Sequence, residues 1–354
     1  MAGDNQHHIP RLLMRGFKVE KKGKAEQVHL YRAGQAHAPC VNIMDINARK
    51  HFYSGPEDTS LDDAITASET EVFGPALHRI RTDQPLSKGE EHVLRRFLVH
   101  MIVRTESTRT LMGSVATGAM EGMRSAVSDP NVFTQAIQNG ALDLNAIAQK
   151  AMTDVAAELA NRGTQVDAAM LETMVAQLPE FMRTNASQMG RDIAQLSSDA
   201  LAGLPMPDSA SGSSIQRKAL SNDIAPAARV AELETYILSI EKIDDELILG
   251  DDPVLAFDAQ GQPQRALIPD NPSVLYCLPA SSHHAIVLRR EGSIALPSVA
   301  RLNEVSAVQS RLHFIARTRR PEFLALAARI GSFKGANEQT DWEAFFKENI
   351  PKLD

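Results

Sequence analysis

The sequence predicts a helix-rich α+β fold, a small and mostly antiparallel sheet packed with helices and interrupted by a helical insertion. Three observations carry that reading. Segments of strand character come in blocks and do not alternate with helices, so the βαβ pattern of a doubly wound sheet is absent. Residues 118–204 are rich in Ala, Gln, Met and Leu and nearly free of aromatics, a composition that favours helix. Residues 88–113 carry a broad apolar stripe behind Ser87 and Glu90, the spacing of a capping box.

In chain order, residues 9–17 suit a strand or a short helix, and VHLYR (28–32) has the aromatic and β-branched content of a strand. Leu61, Ile65, Val72, Leu77 and Ile80 recur broadly at helical spacing, with Gly74-Pro75 as a kink point. The helix from 88 presents Val93, Leu94, Phe97, Leu98, Met101 and Ile102 on one side. Four helices follow near 131–139, 143–161, 167–183 and 187–202, with Gly140 and Gly163 as stops. LPMPDSASGSS (204–214) has the composition of a flexible connector. YILSIEKI and ELILGDDPVLAF suggest a strand hairpin around Asp244-Asp245, and Ile286–Leu288 another strand. Helices are expected over 298–317 and 321–330. The organisation is therefore a core in two parts, 1–117 and 215–354, an insertion over 118–204 and a connector over 205–214.

The net charge of −7 argues against a generic nucleic-acid coat or membrane-surface protein. Two groups of cations, Arg317/Arg319/Arg320 and Lys18/Lys21/Lys22/Lys24, suit solvated turns. The two cysteines, Cys40 and Cys277, form no CxxC pair, which excludes the usual structural zinc site. Polar residues fill positions 3–8, against a signal peptide, and no run of ~18 apolar residues exists. A reduced cytoplasmic protein with free thiols is the expectation. The chain has no GxSxG, HExxH, P-loop or GxGxxG motif.

Four features carry chemistry. In QHHIP, Pro10 forces Ile9 into extended backbone. If His7 and His8 are extended too, they face opposite sides and do not easily share one metal. Either they stabilise a turn, or one serves as an acid–base group or ligand. His100 and Arg104 lie one helical turn apart beside an apolar face, so Arg104 needs a carboxylate, phosphate or carbonyl partner. Asp251 and Asp252 end an apolar strand, where acids bind a cation, act in proton transfer or cap a turn. Glu69 and Glu71 face different directions on one helix. His283 and His284 precede a strand and suit a structural role better.

Together these pieces resemble the mainly bacterial domain of unknown function 4238 family. Its pattern begins His-His/Tyr-(Ile/Val)-Pro with a downstream Phe, matched here by His7, His8, Ile9, Pro10 and Phe17. It continues with a strand like VHLYR, Phe52-Tyr53, a helical glutamate (Glu69 or Glu71) and Arg104-Thr105. Then come a strand ending in Ser-Asp-Asn-Pro-Val, here Gly250 to Val254, and Leu302-Asn303. The resemblance spans residues 5–318, interrupted by the helical region. Gly250 and Asp252 depart from the pattern, and the tryptophan often seen near Tyr236 or Leu238 is missing.

The resemblance brings no known reaction. It implies that His7 or His8, Arg104, Asp251 and Asn303 converge on one pocket suited to an anionic or phosphorylated ligand. Two function classes follow. The first is a metal-dependent hydrolase, a nuclease or phosphoesterase, with His7, His8, Arg104 and Asp251 catalytic and Asn303 and Asp252 on the substrate. Its Mg²⁺ or Mn²⁺ would be held by His8, Asp251 and Glu71. The second is a non-catalytic ligand sensor or interaction module, in which the polar cluster is structural and the 118–204 helices bind a partner or a second copy.

Overall fold

The computed structural model describes residues 5–20, 25–53, 58–162, 167–207, 209–266, 273–333 and 341–349. Lys21, Lys22, Lys24 and Gly163 lie outside them. The chain forms two compact units, one from 1–113 with 209–339 and the other from 114–208 with 340–354.

The first unit opens with β1 (Asn5–His7) and α1 (Arg11–Met14). Pro10 links them in extended backbone, and its carbonyl accepts from Leu13 and Met14 N–H to start the helix. A single 3₁₀ turn follows, so the run is helical from Arg11 to Phe17. Then come β2 (Gln27–Arg32), β3 (Cys40–Asn42) and β4 (Ala48–Lys50). The next helical run is α2 (Ser60–Ala67), one π turn over Ser68–Phe73 and α3 (Gly74–Arg81). Pro75 falls in the first turn of α3, where its missing N–H costs nothing.

Helix α4 (Lys88–Val103) has the capping box read from the sequence: Glu90 N–H donates to Ser87 Oγ and Ser87 N–H to the Glu90 carboxylate. It does not run on to 113. Arg104 is its C-cap, Thr105 Oγ1 accepts from Thr108 N–H, and α5 (Glu106–Ser128) starts anew. The threonine and its capping hydroxyl break what apolar spacing alone joins.

The second unit contains α6 (Pro130–Gln138), α7 (Leu144–Asn161), α8 (Ala168–Thr184) and α9 (Ala186–Ala202). Asp129, Asp143 and Asp167 cap the first three with their carboxylates. Gly190 lets α9 lie against α6: a β-carbon there would meet Pro130 O at 2.7 Å. The core is small, built on Ile137, Leu144, Met182 and Ala186. Met170 and Phe181 on α8 are each 59% exposed.

The chain returns to the first unit through α10 (Ser209–Asn222) and α11 (Ala227–Glu234). The connector expected over 205–214 is thus already helical from Ser209. Seven strands and a helix follow: β5 (Ile237–Lys242), β6 (Leu249–Gly250), β7 (Leu255–Phe257), β8 (Pro263–Gln264), β9 (Leu275–Ser281), β10 (His284–Arg289), α12 (Val299–Gln309) and β11 (His313–Ala316). Helix α13 (Pro321–Ala327) comes next, and α14 (Trp342–Asn349) groups with the second unit.

All described strand pairs are antiparallel, in sheets ordered β5-β10-β9-β7-β8, β3-β2-β11-β6 and β1-β4. Two expectations are corrected. β5 does not form a hairpin with the LILG segment. It pairs with β10, while β6 pairs with β11 in another sheet. Between them, Ile243 and Leu247 N–H donate to His283 and Ser282 carbonyls, which carries the chain from one sheet toward the other. The helix expected over 298–317 ends at Gln309, and His313–Ala316 is a fully buried strand between β2 and β6.

Candidate functional site

Arg104 is the centre of a buried polar node. Its guanidinium is 1% exposed. Nε donates to Tyr53 Oη at 3.0 Å, Nη1 to Glu69 and to His100 Nε2, the latter at 2.8 Å, and Nη2 to the His7 carbonyl. Tyr53 Oη in turn donates to Arg104 O at 3.2 Å. The bond of His100 Nδ1 to Ile224 O, 2.8 Å, fixes the tautomer in which Nε2 accepts from Arg104. Burial alone depresses Arg104, but Tyr53 and Glu69 more than offset it and hold it above its ordinary value. Burial pushes Tyr53 up to about 12 and holds His100 well below its usual range, with the Arg104 charge adding to the latter. Four of five guanidinium N–H groups are committed among the described residues.

The π turn selects the glutamate. One extra residue per turn swings Glu69 toward Arg104, while Glu71 is exposed. The partner of Arg104 is therefore Glu69, not Glu71 or Asp251.

Beside this node lies a polar cleft of about 400 Å³, lined by His7, Arg11, Asp62, Asp63, Glu69 and Arg104 among others. His7 and His8 face different surroundings, as alternation on an extended segment requires. His7 lines the cleft, and its buried Nε2 has no hydrogen-bond partner among the described residues. Burial, then the Arg11 charge, lowers its pKa to about 4 against backbone hydrogen bonds at Ile43 and Met44, so the ring is neutral at pH 7. Asp62 is raised by burial and by Asp63. Arg15 also borders the cleft but is paired with Glu26 at 2.8 Å.

His8 is 4% exposed, packed on Phe52 at 5.4 Å between ring centroids, with neither ring nitrogen hydrogen-bonded. Burial, then the charges of His313 and Arg104, lowers it to about 3. His313 sits 4.0 Å from Asp251, so the N-terminal histidines and the Asp251 turn are linked through a residue the sequence reading placed inside a helix. The short apolar run Phe314–Ala316, buried at every position, carries no alternation that would mark it as a strand in the sequence.

Asp251 and Asn303 address backbone. The Asp251 carboxylate accepts from Arg311 and Leu312 N–H at 2.7 and 2.8 Å, which turns the chain from α12 into β11. Asn303 accepts from Ile248 N–H at 3.0 Å and donates to Glu246 O at 2.8 Å. Neither lines the His7 cleft. Asp252 borders a separate small depression with Ser107 and Arg265, where burial raises it to about 6 against the Ser107 hydrogen bond and the Arg265 charge. The convergence of His7 or His8, Arg104, Asp251 and Asn303 on one pocket is thus replaced by one cleft holding His7 and Arg104 and by two backbone clamps. His284 is engaged with Asp83 at 3.1 Å and with Ser281.

The set His8, Asp251 and Glu71 does not fit a divalent ion, because Glu71 points to solvent and both Asp251 oxygens hold backbone amides. No group of three His, Cys, Asp or Glu side chains among the described residues has the arrangement to hold a metal ion. No described helix is long and apolar enough to cross a membrane.

Neither the curated proteins nor the solved structures give a match to the chain. The family model described as a protein of unknown function, DUF4238, matches residues 5–316, which includes the histidine pair, the Arg104 node and both backbone clamps, and the chain belongs to that family.

Proposed function

We propose that the protein is a hydrolase of a phosphorylated substrate and that the His7 cleft is its active site. The observation that carries this is the unpartnered Nε2 of a neutral His7, set in a cleft beside Arg11 and a carboxyl raised above its ordinary range. In this reading Arg11 holds the phosphate, and the fifth N–H of Arg104, without a partner among the described residues, adds to it. A bound anion offsets the Arg11 and Arg104 charges that depress His7, so the imidazole becomes a stronger base as substrate enters. His7 Nε2 lies beneath the cleft surface, so its ring turns outward as substrate enters; it then takes a proton from the attacking water, and Asp62 donates one to the leaving oxygen.

The test is turnover of p-nitrophenyl phosphate and of a nucleotide panel by the full chain, with EDTA and with added Mn²⁺. Wild-type turnover, lost about a hundredfold in His7→Ala with an unchanged melting temperature, is the expected result. Absence of turnover under both conditions defeats the hydrolase reading. Loss of turnover in EDTA with rescue by Mn²⁺ places a substrate-borne or weakly held metal in the reaction.

A second reading, a non-catalytic sensor, is favoured by the near-complete commitment of Arg104 within the fold. There the cleft binds without turnover, and the exposed Met170 and Phe181 of the helical unit serve a protein partner or a second copy. Cytoplasmic residence, expected from the scarcity of cysteine, belongs to either reading.

A further inference from the structure

A second cleft, of about 460 Å³, lies away from the His7 residues and is bordered by His29, His283, Arg317, Arg319, Arg320 and Glu246. Arginines on a surface turn are ordinarily solvated and loosely held. This turn is held rigidly from beneath. Glu246, 2% exposed in its side chain, accepts from Arg317 N–H at 2.7 Å and Thr318 N–H at 2.8 Å, and from the Thr318 hydroxyl. Tyr31 Oη accepts from Arg320 N–H at 3.0 Å and donates to Thr318 O at 3.3 Å. Asn303 fixes the backbone just after Glu246, on both sides of Leu247. Every backbone anchor of the turn is thus a buried side chain from another part of the fold.

The side chains above these anchors are unequal. Arg320 is engaged by Asp245, with Glu246 and Glu322 within 4 Å. Among the described residues the Arg317 guanidinium meets only Glu20, whose side chain is 82% exposed and can swing into water. Arg319 is exposed and has neither hydrogen bond nor ion pair among the described residues. His283 Nδ1 is 3.3 Å from Ile243 O, which leaves Nε2 for the cleft. Two guanidinia on a stiff backbone, beside an imidazole and a displaceable carboxylate, are a pre-organised receptor for an anion.

We propose that this cleft is a second ligand site, which takes a phosphate group of a small phosphorylated molecule between Arg317 and Arg319 in place of Glu20. The volume fits such a ligand. No Phe, Tyr or Trp is among the described residues that border the cleft, so the recognition is assigned to the phosphate and not to a stacked base. The site is independent of the proposed hydrolase: it stands or falls without turnover at His7.

Inorganic pyrophosphate is the probe, titrated calorimetrically into the full chain at low salt. Arg317→Ala and Arg319→Ala each weaken binding at least about tenfold, the loss of one charge-assisted contact. Glu20→Gln tightens it severalfold. These substitutions touch exposed side chains, and circular dichroism confirms that the variants fold. No binding by wild type, or equal binding by wild type and Arg319→Ala, overturns the proposal. So does binding that Arg11→Ala abolishes and Arg319→Ala spares, which assigns the ligand to the His7 cleft. A single-stranded oligonucleotide that binds far more tightly, with a steep salt dependence, overturns the small-molecule assignment in favour of a nucleic-acid backbone.

Discussion

Replacing Arg104 by alanine removes a side chain that is 1% exposed and that satisfies Glu69, Tyr53, His100 Nε2 and the His7 carbonyl together. Each buried group left unsatisfied costs ~1–3 kcal/mol, but the losses are not additive, since Tyr53 and His100 can turn toward water entering the void. Removing one partner of a buried ion pair costs ~3–5 kcal/mol in total. Glu69 keeps 18% exposure, which places the expected cost near ~4 kcal/mol. For a unit of this size that lowers the melting temperature by about 10 °C. Arg104→Lys keeps the charge but not the planar fork, so it recovers about half. In Arg104→Ala with Glu69→Gln the stranded carboxylate is gone, and the double variant melts above the sum of the two single changes. Differential scanning calorimetry of the four proteins provides the assay. A drop under ~3 °C for Arg104→Ala, or strictly additive changes in the double variant, refutes the node as the fold's anchor.

Three further outcomes are expected. Asn303→Asp keeps an acceptor for Ile248 N–H but sets a carboxylate against Glu246 O, so urea titration should show a loss of ~3 kcal/mol. His7 at about 4 and His8 at about 3 lie below the ordinary 6.5, so the unfolded chain takes up these protons first, and stability is full above pH 7 and falls as pH drops through 6.5 toward 4. Asp252, raised to about 6, works in the opposite sense over pH 6 to 4, and two histidines outweigh it. His8→Phe should flatten the pH dependence of the melting temperature, and a wild-type melting temperature that rises from pH 7 to 5 would contradict this. A β-carbon at Gly250 meets the Ser310 hydroxyl and lies 3.1 Å from Ser306 O, so Gly250→Ser costs ~1–3 kcal/mol by overpacking and Ser310→Ala restores part of it.

Periodicity made the helices over 60–81 and 88–103 and the four helices of the second unit legible, because each presents an apolar stripe or a side-chain cap. It failed where both faces of a strand are buried. Leu275–Ser281 and His313–Ala316 are buried at every position, so they show no alternation, and Pro279 within the former argues against a strand except beside a bulge, which is where the β9–β10 register shifts. The end of α12 was hidden for a different reason. Asp251, some sixty residues earlier, supplies the carboxylate that turns the chain there. Of the site, the opposite facing of His7 and His8 and the burial of Arg104 followed from backbone geometry. The choice of Glu69 over Glu71 did not, because a π turn changes the helical phase by an amount that no regular period contains.

The polar residues that define the family pattern have a common physical logic that differs from a shared pocket. Arg104 donates to His7 O, Asp251 accepts from residues 311 and 312, and Asn303 holds Glu246 O and Ile248 N–H. Each commits at least one hydrogen bond to backbone far away in sequence, where sheet and helix leave peptide groups unpaired. Such a residue tolerates no change in shape, whatever the ligand. His7 is different: its carbonyl is used by the fold and its imidazole Nε2 is not. Substitution at Asn303 or Asp251 therefore tests folding, while substitution of the His7 ring tests chemistry. His7→Gln should leave the melting temperature within ~1 kcal/mol of wild type, since the carbonyl that Arg104 needs is retained. If it instead destabilises as much as Asn303→Asp, His7 is a structural residue as well, and the cleft has lost its claim to be an active site.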